Sequence, residues 1–254
     1  LREKIQFFKS GFFKLAGVMH LPDKRIKKAP LVVLNHGFSG NKGETHYMFT
    51  KLARALAAEG IAAFRFDCFA CGDSEGDYKD TNFYRDIYDA CNAIDFAKGF
   101  KDIDKERVGV FGMSKGGYIS AVLCGERKDI KSAGLMCAPA DFRKLWAPHF
   151  PKNRKINKGF DSGGLNISKQ FLDVLWTLGT KNLKAIESFK KPLLIIQGTK
   201  DEVVDPADAS VYFKVSGSGK KKLVMVNGCN HTFSSKKWEK QLIRDTVRHF
   251  KNTL

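Results

Sequence analysis

Val108-Gly109-Val110-Phe111-Gly112-Met113-Ser114-Lys115-Gly116-Gly117 is the stretch that decides the fold. Its first half is a short, β-branched apolar run, the mark of a strand buried on both faces. Residues 117–124 then read as a helix. Between them, Gly112 and Gly116 flank a serine, as a turn too tight for a Cβ requires. Such a turn lifts the serine hydroxyl above the sheet, at a helix N-terminus where developing negative charge is favoured. A bare G-x-S-x-G arises by chance in roughly one chain in ten of this length. The strand before it and the helix after it give the match its weight.

Working outward, apolar runs alternate with helical patterns. Residues 4–8 and 12–20 predict a strand pair turned at Ser10-Gly11, and 31–34 a buried strand. Residues 45–59 predict a helix closed by Gly60, and 61–66 a strand. Residues 84–98 set Ile87, Cys91, Ile94 and Ala97 on one helical face. Strands follow at 108–113, 133–137, 193–196 and 223–226, and Trp238, Leu242, Val247 and Phe250 mark a closing helix. This alternation predicts an α/β fold with a mostly parallel central sheet flanked by helices. Residues 1–140 and 188–254 form its core. The stretch 141–187 lacks a clear βα unit, with one helical piece near 168–178, and is expected to be a small inserted cap.

Composition narrows the class. The chain has 254 residues, 43% hydrophobic and 28% charged, enough for one sizeable core. No apolar run nears the roughly 20 residues of a membrane-spanning helix. Residues 1–9 lack the apolar stretch of a secretory signal, and the start at Leu1 rather than methionine leaves room for an upstream segment. The six cysteines are dispersed, so buried thiols in a reducing, cytoplasmic compartment are expected. Cys68 and Cys71 form a C-x-x-C with no second ligand pair, and neither a metal site nor a cofactor is expected. The formal charge of +17 comes from clusters: Lys24, Arg25, Lys27 and Lys28; Lys152, Arg154, Lys155 and Lys158; Lys220, Lys221 and Lys222; Lys236 and Lys237. These read as solvated loops or as peripheral attraction to anionic surfaces, and no nucleic-acid motif accompanies them. Oligomeric state is not readable.

A serine hydroxyl needs a base to act as nucleophile. Among six histidines, His231 lies in Asn227-Gly228-Cys229-Asn230-His231-Thr232-Phe233, just after the last strand, where α/β folds place their sites. His249 reads as a surface residue of the terminal helix, and His46 as a residue lining the site. The base needs an acceptor to fix its tautomer. Gly198-Thr199-Lys200-Asp201 follows the strand at 193–196 and offers Asp201, with Glu202 and Asp205 as neighbours. The order Ser114, Asp201, His231 assigns nucleophile, orienting acid and base. Oxyanion donors are expected from the backbone N–H of Lys115 and of Phe38, in Asn35-His36-Gly37-Phe38-Ser39-Gly40, with His36 bracing that loop.

The chain resembles bacterial serine esterases of the α/β-hydrolase superfamily, nearest the cinnamoyl (feruloyl) esterase branch. The resemblance rests on His36-Gly37-Phe38-Ser39-Gly40-Asn41, Arg65-Phe66-Asp67 with Gly72-Asp73-Ser74-Glu75-Gly76, Gly112 to Gly117, Gly198 to Val204 and Gly228 to Phe233. It implies the α/β-hydrolase fold with a small cap and ester hydrolysis through an acyl-enzyme. Four positions depart from that branch. Met113 and Lys115 stand where His and Gln are usual, Cys71 stands for a histidine, and Phe171 stands for the tyrosine that meets a substrate phenol.

The expected activity is therefore a carboxylesterase acting on small-molecule acyl or aryl esters. Phe38, Trp146, Phe171 and Trp176 are candidates to wall the pocket, with Phe171 equally at the helical spacing of a cap core. A lysophospholipase, monoacylglycerol lipase or acyl thioesterase is the alternative that the basic surface favours. A catalytically silent binding protein on the same fold would have been free to lose Ser114 or His231.

Overall fold

The apolar runs of the sequence are neighbours in one sheet. The computed structural model describes residues 2–23, 27–146 and 159–254, with the side chain of Trp146 excepted. Trp146 and Phe150, and the basic cluster at 152–158, thus fall outside the described side chains. The strands are β1 (Arg2–Ser10), β2 (Phe13–Leu21), β3 (Ala29–Asn35), β4 (Ala62–Phe66), β5 (Ile103–Met113), β6 (Ile130–Met136), β7 (Phe160–Ser162), β8 (Leu165–Ile167), β9 (Leu193–Gly198) and β10 (Lys221–Val226). The helices are α1 (Met48–Ala58), α2 (Phe83–Lys98), α3 (Lys115–Glu126), α4 (Phe142–Trp146), α5 (Lys169–Leu178), α6 (Lys181–Ser188), α7 (Ala207–Val215) and α8 (Lys236–Thr253).

Eight strands form the main sheet in the order β1-β2-β4-β3-β5-β6-β9-β10. The β1/β2 and β2/β4 pairs are antiparallel, and every pair from β4 to β10 is parallel. β3 is buried along its whole length, as its run of Leu31, Val32, Val33 and Leu34 predicts. Alternate residues of the central strands feed two cores. Val33, Val110 and Leu135 pack under α2 and α3, while Val32, Leu34 and Phe111 pack under α1 and α8. Among the described residues, no helix is long and apolar enough to cross a membrane.

Two local results differ from the sequence reading. The helix at 45–59 is broken at its start: Thr45–Tyr47 is a separate 3₁₀ turn, because His46 and Tyr47 take positive φ of 44° and 62°. His249 is not a surface residue, since its Nε2 lies 2.8 Å from Ser132 Oγ beneath the sheet. Within 141–187, α5 turns Phe171, Leu172, Leu175 and Leu178 inward. α6 lies directly on α3, where Ala185 Cβ is 2.7 Å from the place a side chain on Gly125 would occupy.

Candidate active site

Ser114 sits between β5 and α3 with φ 54° and ψ −117°, a backbone conformation that is costly for any residue with a side chain. Its neighbours make the turn possible. A Cβ on Gly112 would overlap the Gly116 carbonyl, and one on Gly116 would overlap the Asn35 carbonyl of β3. The Ser114 N–H donates to Met136 O at 2.8 Å, anchoring the turn to β6. The hydroxyl stands at the N-terminus of α3, where the first N–H groups lack intrahelical partners. The N–H of Lys115 is the first of these.

The loops after β9 and β10 supply the other two residues. His231 Nδ1 lies 2.9 Å from Asp201 Oδ2 and 3.0 Å from Oδ1. Asp201 is further held by the N–H groups of Val203 and Val204, at 2.9 and 2.8 Å, and by Gln197 Nε2 at 2.8 Å. Burial opposes the charge of Asp201, but the bonds from His231 and from these amides outweigh it and hold its carboxyl below the usual range. The neighbouring acids are occupied elsewhere. Glu202 accepts from the His231 backbone N–H, and Asp205 caps the first turn of α7 through Ala207 N–H. Ser114 and His231 are both buried, at 7% exposure each, at the same end of the sheet. No hydrogen bond joins Ser114 Oγ to His231 among the described residues; in ligand-free sites this bond is often long and tightens with substrate.

Cys137, at φ 47°, completes the floor: its Sγ, an Asp201 oxygen and a His231 nitrogen all lie within 4.8 Å of one another. Those three donors are the group a metal would find here. Burial and the Asp201 charge push the Cys137 thiol well above its ordinary range.

The loop after β3 faces Ser114 from the other side. His36 Nε2 accepts from Cys68 N–H at 3.1 Å and its Nδ1 meets Gly37 O at 2.8 Å, so the ring ties this loop to the one after β4. Burial and the Lys115 charge push its pKa down to about 4, so it is neutral. His46 lines the rim of the site, with Nε2 2.9 Å from Thr232 O and Nδ1 2.9 Å from Glu239. Phe38 is packed edge-on against Phe171 at 5.8 Å and Tyr78 at 5.9 Å. Phe171 is 1% exposed, also meets Phe83 at 5.3 Å, and thereby joins cap helix to core. Trp176 lies on the outer face of α5, 39% exposed, with Arg143 5.5 Å over its ring.

Two features of the site carried no sequence signal. Glu44 has φ 56°, and its Oε1 accepts from the Gly37 N–H, on the loop that bears Phe38. Burial raises its carboxyl above the ordinary range although the Gly37 and Thr45 amides oppose this. The Lys115 side chain turns inward, only 1% exposed, and its Nζ meets Asp86 Oδ2 of α2 at 2.9 Å. Burial disfavours that ammonium, yet Asp86 more than offsets it and keeps it protonated. Asp86 lies on the buried face of α2, three residues after Phe83 and four before Ala90, but its partner there cannot be read from α2 alone.

Sheet order, strained serine turn and buried residues at the strand ends define the class: a serine hydrolase on an α/β-hydrolase fold. A family model described as X-Pro dipeptidyl-peptidase (S15 family) matches residues 11–153, more than half of the chain, and the chain belongs to that family. It is similar to the Arabidopsis thaliana "Alpha/beta hydrolase domain-containing protein WAV2", 32% identical over 124 residues, covering 47% of this chain and 38% of that protein. The solved structure "Ferulic Acid bound to Est1E from Butyrivibrio proteoclasticus" superposes with a TM-score of 0.84 at 21% identity, covering 97% of this chain and 96% of that one. The esterase domain of a Rhodothermus marinus protein superposes with a TM-score of 0.76 at 21% identity, covering 100% and 99%. At these identities the superpositions establish the fold.

Proposed function

We propose that this serine hydrolase is a carboxylesterase that cleaves small acyl or aryl esters through an acyl-enzyme on Ser114. The observation that carries the proposal is the strained Ser114 turn at the N-terminus of α3, at the same sheet end as the His231–Asp201 pair. In this reading Ser114 Oγ attacks the ester carbonyl carbon while His231 Nε2 takes the hydroxyl proton. The carbonyl oxygen, now an oxyanion, is received by the backbone N–H groups of Phe38 and Lys115. Collapse breaks the ester C–O bond, and His231 returns the proton to the leaving alcohol. Water then repeats the sequence on the acyl-enzyme and releases the acid. Asp201 holds Nδ1–H and stabilises the imidazolium.

Residues 141–187 act here as a cap, with α5 over the site and α6 as its anchor on α3. Phe38 fits the role of pocket wall. Phe171, enclosed by Phe38 and Phe83, serves better as support for that wall, and the exposed face of Trp176 leaves it at most a rim position. Without a tyrosine at 171, a substrate phenol loses one hydrogen bond, and the site discriminates poorly for that hydroxyl. A compact pocket then favours acetyl, butyryl and aryl esters over long acyl chains.

The test is labelling by a fluorophosphonate, lost in Ser114→Ala, followed by kcat/KM for acetyl, butyryl, decanoyl, palmitoyl and feruloyl esters on one leaving group. Near-wild-type turnover by Ser114→Ala would falsify the nucleophile. A maximum at palmitoyl would instead favour the lysophospholipase, monoacylglycerol lipase or thioesterase reading. A dipeptidyl anilide with proline at the scissile bond belongs in the panel because of the family's name. Preference for it over every ester would replace ester with peptide hydrolysis.

A further inference from the structure

β1 is an outer strand of the sheet, paired only with β2. One face of this hairpin is ordinary core: Phe8 packs against Phe64, Phe66 and Phe96. On the opposite face, Glu3 is held by Arg54 of α1, and beyond it no described residue covers the strand. Ile5 is 75% exposed, Phe7 56%, and Phe12 in the turn is exposed over its whole surface. Single exposed apolar residues are normal, but here they occupy successive outward positions of one strand and then its turn. Tyr88 of α2, half exposed, flanks the turn at Gly11.

Basic side chains surround these residues. Lys9 and Lys14 lie on this face and are exposed, and neither forms an ion pair among the described residues. Lys9 and Lys14 stand directly opposite each other in the β1/β2 register, an arrangement unfavourable for the isolated hairpin. Lys14 Nζ lies 5.6 Å over the Phe7 ring. The acid in contact is Glu75, which accepts from the Lys14 backbone N–H.

The hairpin also has a direction. β2 runs antiparallel to β4, with Gly17 opposite Phe66, so its Phe13 end extends past the C-terminal end of β4. That is the end of the sheet where Ser114, Asp201 and His231 lie. The turn therefore projects on the side of the candidate site.

We propose that the β1/β2 hairpin docks this enzyme on an anionic lipid bilayer, with Ile5, Phe7 and Phe12 entering the interface and Lys9 and Lys14 meeting lipid phosphates. Aromatic tips with flanking lysines match the apolar-below, charged-above profile of that interface. Charge argues for lipid against a second copy of this chain, since Lys9 and Lys14 at the hairpin tip and the like net charge of each copy oppose self-association. The net charge of +17 adds long-range attraction of the same sign.

The experiment is cosedimentation of the full chain with phosphatidylcholine vesicles, with or without phosphatidylserine, at low and high salt. Binding should require phosphatidylserine and weaken with salt. Phe12→Ser should lower partition by about tenfold or more, and each of Lys9→Gln and Lys14→Gln by about fivefold. Phe12 touches no core residue, so kcat/KM of Phe12→Ser on a soluble short-chain ester should stay at the wild-type value, which also shows that the variant is folded. The proposal fails if the wild type stays in the supernatant, if it binds neutral and anionic vesicles alike, or if Phe12→Ser binds as the wild type does. It fails equally if light scattering finds a dimer that Phe12→Ser dissociates. Vesicle binding is read without turnover, so its failure leaves the ester-hydrolysis reading standing.

Discussion

Asp86→Asn removes one charge from a pair sealed inside the protein and keeps the shape of the side chain. The partners Lys115 and Asp86 are 1% and 0% exposed and 2.9 Å apart, so water cannot take over the role of the lost carboxylate. The Lys115 ammonium must then stay charged in an apolar site or give up its proton. Giving it up sets a ceiling on the damage. At pH 7 the cost of deprotonating a lysine of ordinary pKa near 10.4 is about 3.4 units at about 1.4 kcal/mol each, or roughly 4.6 kcal/mol. This agrees with the roughly 3–5 kcal/mol typical of a broken buried pair. At pH 9 the same ceiling is about 2 kcal/mol. The sign follows from linkage: the variant's folded Lys115 has a depressed pKa, the unfolded chain binds the proton more readily, and stability relative to wild type rises with pH.

Urea unfolding of wild type and Asp86→Asn at pH 7 and pH 9 measures both effects. In thermal scans at pH 7 the loss corresponds to a Tm lower by roughly 6–20 °C for a domain of this size. The double variant Asp86→Leu with Lys115→Met should recover most of the stability, because an apolar pair leaves no buried charge. A loss below about 1 kcal/mol at pH 7, or one equal at both pH values, would show that the pair is neither sealed nor charged as described.

Asp201→Asn should reduce kcat by about 10⁴, as expected when the histidine tautomer is lost; Asp205→Asn, at a helix cap, should change kcat little, and the reverse ranking in ester assays would reassign the acid. Because the proposed role of residue 115 is its backbone N–H, the double variant Asp86→Leu with Lys115→Met, which leaves no buried charge, should keep kcat within about tenfold of wild type, whereas a loss of about a hundredfold or more in a folded variant would place the ammonium in the chemistry. His20, His36 and His249 are held down to about 4 by burial, with Arg65, Lys115 and Lys222 adding to the effect. Their unfolded values near 6.5 lie higher, so the stability they contribute is complete above about pH 6.5 and is lost as pH falls through 4, at up to about 1.4 kcal/mol per unit for each. Urea midpoints flat between pH 6.5 and 5 would contradict this.

The parts of the molecule that repeat a local rule were legible in the sequence. β3, the second half of β5 at 108–113, and β9 are apolar runs because both of their faces are covered, and Gly112 and Gly116 mark a turn where a Cβ cannot fit. The site residues at strand ends follow from the same parallel topology, which brings Ser114, Asp201 and His231 to one end from distant positions in the chain. What stayed hidden depends on where a side chain turns. α7, with Val211, Tyr212 and Phe213 in succession, has no clean 3.6-residue period, and only the surfaces beside it make it a helix. Asp86 falls on the apolar face of α2, but a buried pair with Lys115 is legible only when both partners are known. Glu44 has no motif because its role is set by the bent backbone that carries it.

That bent backbone has a distribution with a physical meaning. The non-glycine residues at positive φ among those described are Ser39, Glu44, His46, Tyr47, Ala70, Ser114, Cys137 and Phe233. Each follows the C-terminal end of a parallel strand: β3 for the first four, then β4, β5, β6 and β10. None lies at the opposite end of the sheet. Positions of this kind cost of order 1–3 kcal/mol each and persist only where surrounding contacts over-determine them. Here those contacts are visible: Gly37 N–H on Glu44, Thr232 O on His46, and the Met136 carbonyl on the Ser114 amide. A sheet with one relaxed end and one strained end has concentrated its rigid, costly geometry where the candidate chemistry lies. The strain holds Gly37, Ser114 and the His231 loop in fixed relation before a substrate arrives. Glu44 is the clearest case, since a raised carboxyl, a positive φ and a bond to the Phe38-bearing loop meet in one residue. Glu44→Gln keeps an acceptor for the Gly37 N–H and should lower kcat by less than Glu44→Ala, with KM for a soluble ester nearly equal in both. Equal kcat in the two variants would mean that the clamp on the oxyanion loop does not depend on this bond.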